Sequence, residues 1–271
     1  MTFTELLRVA PGSQPDLGAI DADSTPGFDG DKAAAQDRVH ELADVLAEFQ
    51  ERLWAEGRQS LLIVLQALDA GGKDGLIRNV VTAFNPQGTR VTGFGVPSEE
   101  ELRHDYLWRI HAATPGRGRI GVFNRSHYED VLVVRVNELV PASVWKQRYE
   151  QINAFEAHLA ANDTRILKFY LHISREEQRQ RLQARIDDPA KHWKWSSGDL
   201  ETRARWDDYR AAYTDALARC STAAVPWFVI PADRKWYRDL AVAEILAEVA
   251  ADINPAWPAP DEDVSGIVVP A

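Results

Sequence analysis

The chain has 271 residues, a net charge of −10, 45% hydrophobic and 27% charged residues, and one cysteine. That length and apolar content support one large α/β domain, while the single Cys220 excludes an intrachain disulfide and fits a reducing compartment. No apolar run approaches the roughly 20 residues needed to span a membrane, Met1 to Glu5 lacks the basic and apolar regions of a signal peptide, and a cytoplasmic protein is expected. The acidity is uneven, with 12 acids against 5 bases in residues 1–60 and 4 acids without a base in 252–271. The central segment is nearly balanced and has the means to build a local positive channel. No nucleic-acid-binding motif is present, so a nucleic-acid partner is not expected.

Residues 1–30 are rich in Pro, Gly and Asp and read as an extended arm, and residues 31–255 as one domain. Asp31 to Gly57 is a long helix, with Val39, Leu42, Leu46, Phe49 and Leu53 on one stripe and Gly57 as its stop. Ser60 to Gln66 is a buried strand, and a second strand runs from Arg90 to Gly95. Ser98 and Glu101 form a capping box that opens a helix to about Ala113. Arg119 to Phe123 is the third strand, Pro141 to Ala161 a long helix, and Ile166 to Ile173 the fourth strand. A charged helix covers Ser174 to Asp187, and one further helix runs from Asp199 to Cys220. Val225 to Ile230 is the fifth strand, Tyr237 to Asp252 the closing helix, and 256–271 an acidic, proline-containing tail. Five strands alternating with helices predict a doubly wound parallel sheet, with ligands bound at the carboxyl ends of the strands.

The chemistry concentrates after the first strand, in Ala67-Leu68-Asp69-Ala70-Gly71-Gly72-Lys73-Asp74-Gly75, where Leu76 resumes at helical spacing. A strand, a glycine-rich turn and a helix N-terminus present unpaired N–H groups to an anion, and Lys73 adds a full charge. Two positions depart from the P-loop pattern: Ala67 replaces the first glycine, and Asp74 replaces the hydroxyl residue that normally helps hold magnesium. Asp69 and Asp74 supply hard oxygen ligands of the kind Mg²⁺ prefers. The third strand ends in Asn124-Arg125-Ser126-His127-Tyr128-Glu129-Asp130. Asn124 stands where an acid is expected, Arg125 is placed to stabilise charge developing on a transferred phosphoryl group, and His127 reads as a structural histidine. Arg175, Arg179, Arg181, Arg185, Lys191 and Lys194 form a third basic element. Arg175 and Arg179 are equally explained as a solvated face paired with Glu176 and Glu177.

Together, Leu65 to Gly75, Phe123 to Asp130, Arg181 to Lys194 and Ile230 to Tyr237 resemble the polyphosphate kinase 2 family over roughly residues 25–255. The resemblance implies a P-loop kinase-like three-layer fold with a helical lid at about 178–200. It also implies Mg²⁺ dependence, with Mn²⁺ as a substitute, and reversible phosphoryl transfer between inorganic polyphosphate and adenine or guanine nucleotides. A homo-oligomer, dimer or tetramer, is implied as well. By position, residues Ala70, Gly71, Gly72, Lys73, Asp74 and Gly75, with Asn124 and Arg125, hold phosphates or the nucleotide, and Asp69, Lys73, Arg125 and Glu129 are catalytic. Asp69, Asn124 and Glu129 serve the metal, and Arg181, Arg185, Lys191 and Lys194 belong to the lid. The run His127-Tyr128-Glu129 resembles the subgroup that accepts AMP as well as ADP. Asp105 and Arg109, beside Trp108, are the candidates for the nucleotide. The competing readings are an ATP-dependent nucleoside monophosphate or small-metabolite kinase, in which polyphosphate would be inert, and a non-catalytic nucleotide- or polyphosphate-binding module.

Overall fold

The computed structural model describes residues 1–270. Its frame is a five-stranded, fully parallel sheet: β1 (Ser60–Gln66), β2 (Thr89–Gly93), β3 (Ile120–Asn124), β4 (Thr164–His172) and β5 (Trp227–Pro231), in the order β2-β3-β1-β4-β5. β1 is central because every one of its seven residues is buried, as a strand covered on both faces requires. Register places Leu65 beside Asn124 on one side and Phe169 on the other. The β1 and β3 ends therefore open side by side at one edge of the sheet.

The helices, in chain order, are α1 (Phe3–Leu7), α2 (Lys32–Glu56), α3 (Lys73–Asn79), α4 (Trp108–Ala113), α5 (Val133–Val136), α6 (Ala142–Ala161), α7 (Arg175–Asp187), α8 (Gly198–Ala204), α9 (Trp206–Cys220) and α10 (Lys235–Ile253). Asp31 caps α2 by accepting from the Ala34 N–H, a contact worth about 1 kcal/mol, and Gly57 ends it in the left-handed conformation. Leu42, Leu46, Phe49 and Leu53 on its stripe are buried, each contributing roughly 1.5–3 kcal/mol. α2 packs along α10, and α10 also meets α3, while α6 packs on α9 and on β4.

Two helices differ from the sequence reading. The Ser98–Glu101 capping box forms with both reciprocal hydrogen bonds, but it opens only a 3₁₀ turn at Glu101–Arg103. The Asp105 carboxylate then accepts from the Leu107 N–H, an Asx turn that competes with the helical ladder, and α4 starts afresh at Trp108. The expected Asp199–Cys220 helix is broken at Arg205 (φ −98°, ψ 28°), separating α8 from α9.

The first thirty residues lie against the β5 side of the sheet. Arg8 bridges Phe228 antiparallel, the Val9 N–H donates to the Trp227 carbonyl, and Leu7, Val9, Leu17 and Ala22 are buried. This covers the exposed edge that β5 would otherwise present. Residues 256–270 are exposed.

Candidate active site

The turn between β1 and α3 is built by sterics. Ala70 (φ 61°) and Gly72 (φ 104°) take left-handed backbone conformations. A Cβ on Gly72 would collide with the Arg238 guanidinium, and one on Gly71 would lie 2.8 Å from the Leu68 carbonyl oxygen. Glycine is therefore required at both positions. The loop is braced from three directions. The Arg238 Nη1 donates to the Gly72 carbonyl at 3.1 Å, Arg181 Nη1 to the Ala70 carbonyl at 3.1 Å, and the Gln178 amide to the Asp69 carbonyl at 3.1 Å. With these carbonyls engaged from outside, the loop amides other than Gly71, which donates to the Leu68 carbonyl at 2.9 Å, are left for an anion.

Lys73 is buried at the start of α3 and donates to the Ala67 carbonyl at 3.0 Å. Burial, with Arg125 adding repulsion, pushes its ammonium below the ordinary lysine range, against the pull of Asp69, Glu129 and Asp74. A bound polyanion supplies the countercharge that this lysine lacks. Arg125 sits in a left-handed conformation (φ 64°), which no β-strand continuation would adopt. Its guanidinium donates to Asp69 at 3.0 Å. Burial works against the Arg125 charge, but Glu129 and Asp69 outweigh it and hold the group above its usual range.

Asp74 links three elements. One oxygen accepts from the Asn124 amide at 2.9 Å, and the other lies 3.5 Å from Lys194 Nζ. Burial would raise its carboxyl, yet the Asn124 hydrogen bond and Lys194 bring it below the ordinary carboxylate value. Glu129 is half-buried and accepts from the Gln66 amide at 2.9 Å. It lies behind Arg125 rather than on the cleft wall.

Residues 69–75, Asn124, Arg125, Arg181, Lys194 and Arg238 line one cleft of about 940 Å³ over the loop. Its walls carry nine cations, Lys73, Arg78, Arg125, Arg181, Arg185, Lys191, Lys194, Lys235 and Arg238, against the four carboxylates Asp69, Asp74, Glu177 and Asp199. A chain of charge −10 thus concentrates a positive field where its strand ends meet. Three of the four expected lid cations are held by acids of the cleft wall: Arg181 by Glu177 at 2.7 Å, Arg185 by Asp199 at 2.9 Å and Lys194 by Asp74. Lys191 is also paired, with Asp188 at 2.7 Å, but on the exposed side. Arg179 pairs with Glu176 in solvent, away from the cleft.

Asp105 and Arg109 do not reach this cleft. Arg109 donates to the Gly95 carbonyl at 3.0 Å and lies over the Phe94 ring, bracing the wall from behind, and Asp105 closes its Asx turn. Trp108 is 43% exposed and stacks on His104. His127 is structural: it is buried and bonded to Glu156 at 3.1 Å, in a network where Lys168 donates to Glu156, the Tyr128 hydroxyl and the Cys220 carbonyl. Sequence reasoning missed Arg238, which lies in the first turn of α10, and Gln66, which reads as the last strand residue. A basic residue at an otherwise buried helix position was the available signal for Arg238.

A parallel sheet, a phosphate loop after its central strand, an arginine at the neighbouring strand end and a cationic helix over both define a P-loop phosphotransferase class. The comparisons narrow this further. The family model described as Polyphosphate kinase 2 (PPK2) matches residues 29–256. An AMP/ADP-polyphosphate phosphotransferase of Meiothermus ruber is 51% identical over 262 residues, covering 97% of this chain and 98% of the relative. An ADP-polyphosphate phosphotransferase of Rhodopseudomonas palustris is 44% identical, covering 94% and 92%. The crystal structure of polyphosphate kinase 2 from Arthrobacter aurescens TC1 superposes with a TM-score of 0.94 at 45% identity, covering 98% of this chain and 94% of that one. The chain belongs to the polyphosphate kinase 2 family.

Proposed function

We propose that the chain catalyses reversible phosphoryl transfer between inorganic polyphosphate and nucleotides, converting AMP to ADP and ADP to ATP. The observation that carries this reading is the excess of cations around a P-loop cleft in an acidic chain. Such a wall suits a donor that is itself a long polyanion. The 51% identity with a relative named for both acceptors supports AMP and ADP together. Guanine nucleotides are included among the acceptors, and a homo-oligomer, dimer or tetramer, is the proposed assembly. Among the described residues no helix is long and apolar enough to cross a membrane, and the unpaired, buried Cys220 accords with a cytoplasmic location.

The residues fit a hard divalent cation, Mg²⁺ or Mn²⁺. Asp69 and Glu129 each have one oxygen engaged by a protein donor and one left over, and the Asn124 amide nitrogen is spent on Asp74, leaving its carbonyl oxygen. Among the described residues no group of three acidic, imidazole or thiol side chains forms a closed cage. That is the arrangement expected for Mg²⁺, which keeps waters and takes phosphate oxygens as ligands. Asp69 and Asn124, which line the cleft, would hold the ion, and Glu129, set back from the wall, would serve its water shell. When bound, the ion neutralises phosphate oxygens.

Transfer then follows from placement. The loop amides and Lys73 hold the terminal phosphates in line with the acceptor oxygen. Arg125, oriented by Asp69 and kept in its charged form by Glu129 and Asp69, meets the charge spreading over the transferred group. Arg181, Arg185, Lys191 and Lys194 close over the chain and exclude water.

The test is incubation with Mg²⁺, long-chain polyphosphate and AMP or ADP, without ATP, followed by ion-exchange separation of nucleotides. ADP from AMP and ATP from ADP are expected. No product from either acceptor, with turnover when ATP is the donor for another substrate, would refute the reading in favour of an ATP-dependent kinase.

A further inference from the structure

The cleft has abundant means to bind phosphates and few to bind a base. Among the described residues only two aromatics line it, Phe94 and Trp193. The Phe94 ring is spent: it is 7% exposed, packs edge-on against Phe123 and carries Arg109 on its face. Trp193 is 78% exposed on the 3₁₀ turn Pro189–Lys194. An indole in the open, between two cations of an anion-binding wall, offers phosphate little beyond one N–H donor. Its flat face suits a flat ligand.

The turn also reaches the correct side of the cleft. Lys194, adjacent to Trp193, extends to Asp74, and Asp74 is bonded to Asn124 at the end of β3. Asn124 lies in register with Gly93, the last residue of β2. The wall there is Gly93-Phe94-Gly95, where a Cβ on either glycine would meet nothing within 4 Å. Backbone and open space thus lie on the β2 side of the cleft, with a largely exposed indole on the turn that crosses toward it. The Lys194 ammonium lies over one face of the indole, 4.9 Å from its centroid, so a base would take the opposite, exposed face, beside a charge that attracts a nucleotide phosphate.

We propose that Trp193 is the specificity-determining residue that stacks on the purine base of the acceptor nucleotide, on the side of the cleft walled by Gly93-Phe94-Gly95. This deepens the polyphosphate–nucleotide reading and rests on it. Stacking reads a π-face rather than a hydrogen-bonding edge. Adenine and guanine are therefore accepted together, and pyrimidines, with a smaller ring, bind less tightly. Because the ring sits on the turn that bears Lys191 and Lys194, base contact and placement of the lid cations occur together.

The test compares wild type, Trp193→Phe and Trp193→Ala, each checked for an unchanged melting temperature. Trp193→Ala is expected to raise KM for ADP about 5- to 100-fold, with KM for polyphosphate within about twofold, while Trp193→Phe keeps most of the affinity. The purine-over-pyrimidine preference should narrow in Trp193→Ala. A second readout needs no turnover: ADP added without polyphosphate should quench indole fluorescence in wild type, and that component should vanish in Trp193→Phe. An unchanged KM for ADP in Trp193→Ala, or an equal rise in both KM values, would overturn the assignment. Absence of polyphosphate-driven turnover in wild type would instead defeat the parent reading, and the ADP quench would still decide whether Trp193 meets the base.

Discussion

Arg238 offers the sharpest test of how the phosphate loop is held. Its guanidinium is buried and donates through Nε and Nη2 to one oxygen of Asp239, at 2.8 and 2.6 Å, while Nη1 reaches the Gly72 carbonyl. The second Asp239 oxygen accepts from the Asn79 amide at 2.8 Å. α10 and α3 are thereby locked to the loop through one ion pair whose side chains are 2% and 9% exposed. Replacing Arg238 with Met leaves a carboxylate buried without its partner. Breaking one member of a buried pair costs about 3–5 kcal/mol, a large share of the ~5–15 kcal/mol that holds a typical domain. At roughly 2–4 °C per kcal/mol for large domains, the melting temperature should fall by about 6–20 °C. The double variant Arg238→Met, Asp239→Leu removes the stranded charge as well and should recover most of that loss. It should still bind polyphosphate weakly, because the Gly72 carbonyl has lost its donor. Thermal unfolding and KM for polyphosphate measure the two effects separately. A single variant within 1 kcal/mol of wild type, or a double variant at least as unstable as the sum of both singles, would refute the clamp.

Lys73→Ala and Asp69→Ala should each abolish transfer while circular dichroism stays native, since both side chains face the cleft; normal activity in either would be incompatible with the assigned site. Gly72→Ala should inactivate and destabilise together, because it combines a strained φ of 104° with a collision against Arg238, and a variant of wild-type stability would contradict the loop geometry. Gln66→Met should lower kcat by releasing Glu129, and should cost nothing further in a Glu129→Gln background; additive losses would show that Gln66 does not act through Glu129. Burial holds the His172 imidazole below its ordinary range despite its hydrogen bond to the Ile20 carbonyl. The unfolded chain therefore takes up this proton first, and stability is full above about pH 6.5 and falls as pH drops toward the folded-state value. Melting curves at pH 7, 6 and 5 should decline in wild type and decline less in His172→Gln; identical slopes would remove His172 as the cause.

Much of the molecule was legible before any coordinates. Ser60 to Gln66 is a strand because branched apolar residues run without interruption, and Gly71-Gly72-Lys73 can only be a turn entering a helix. Asp31 and Gly57 bound α2 because capping and left-handed termination are local chemistry, settled within four residues. The neighbouring strand end, Asn124-Arg125, could likewise be placed from sequence, since the βα alternation fixes where each strand stops. Local signals failed where two of them competed: the Ser98 capping box lost to the Asx turn at Asp105, and the Asp199–Cys220 helix broke at Arg205 with no breaker residue to announce it.

What only the tertiary structure decided concerns polar groups buried by distant partners. Lys168 reads as a flaw in an apolar strand until Glu156, Tyr128 and the Cys220 carbonyl converge on it. Arg238 reads as helix surface until the loop 166 positions away presents the Gly72 carbonyl. Arg109, a reasonable nucleotide contact by position, is turned to the Gly95 carbonyl, and Trp193, one of two tryptophans near a proline, is the one left facing the cleft. Periodicity and turn chemistry report the conformation of a segment. They carry no record of which charge, 50 or 150 residues off, a buried side chain must meet, because that pairing is fixed only when the sheet and its helices close around it.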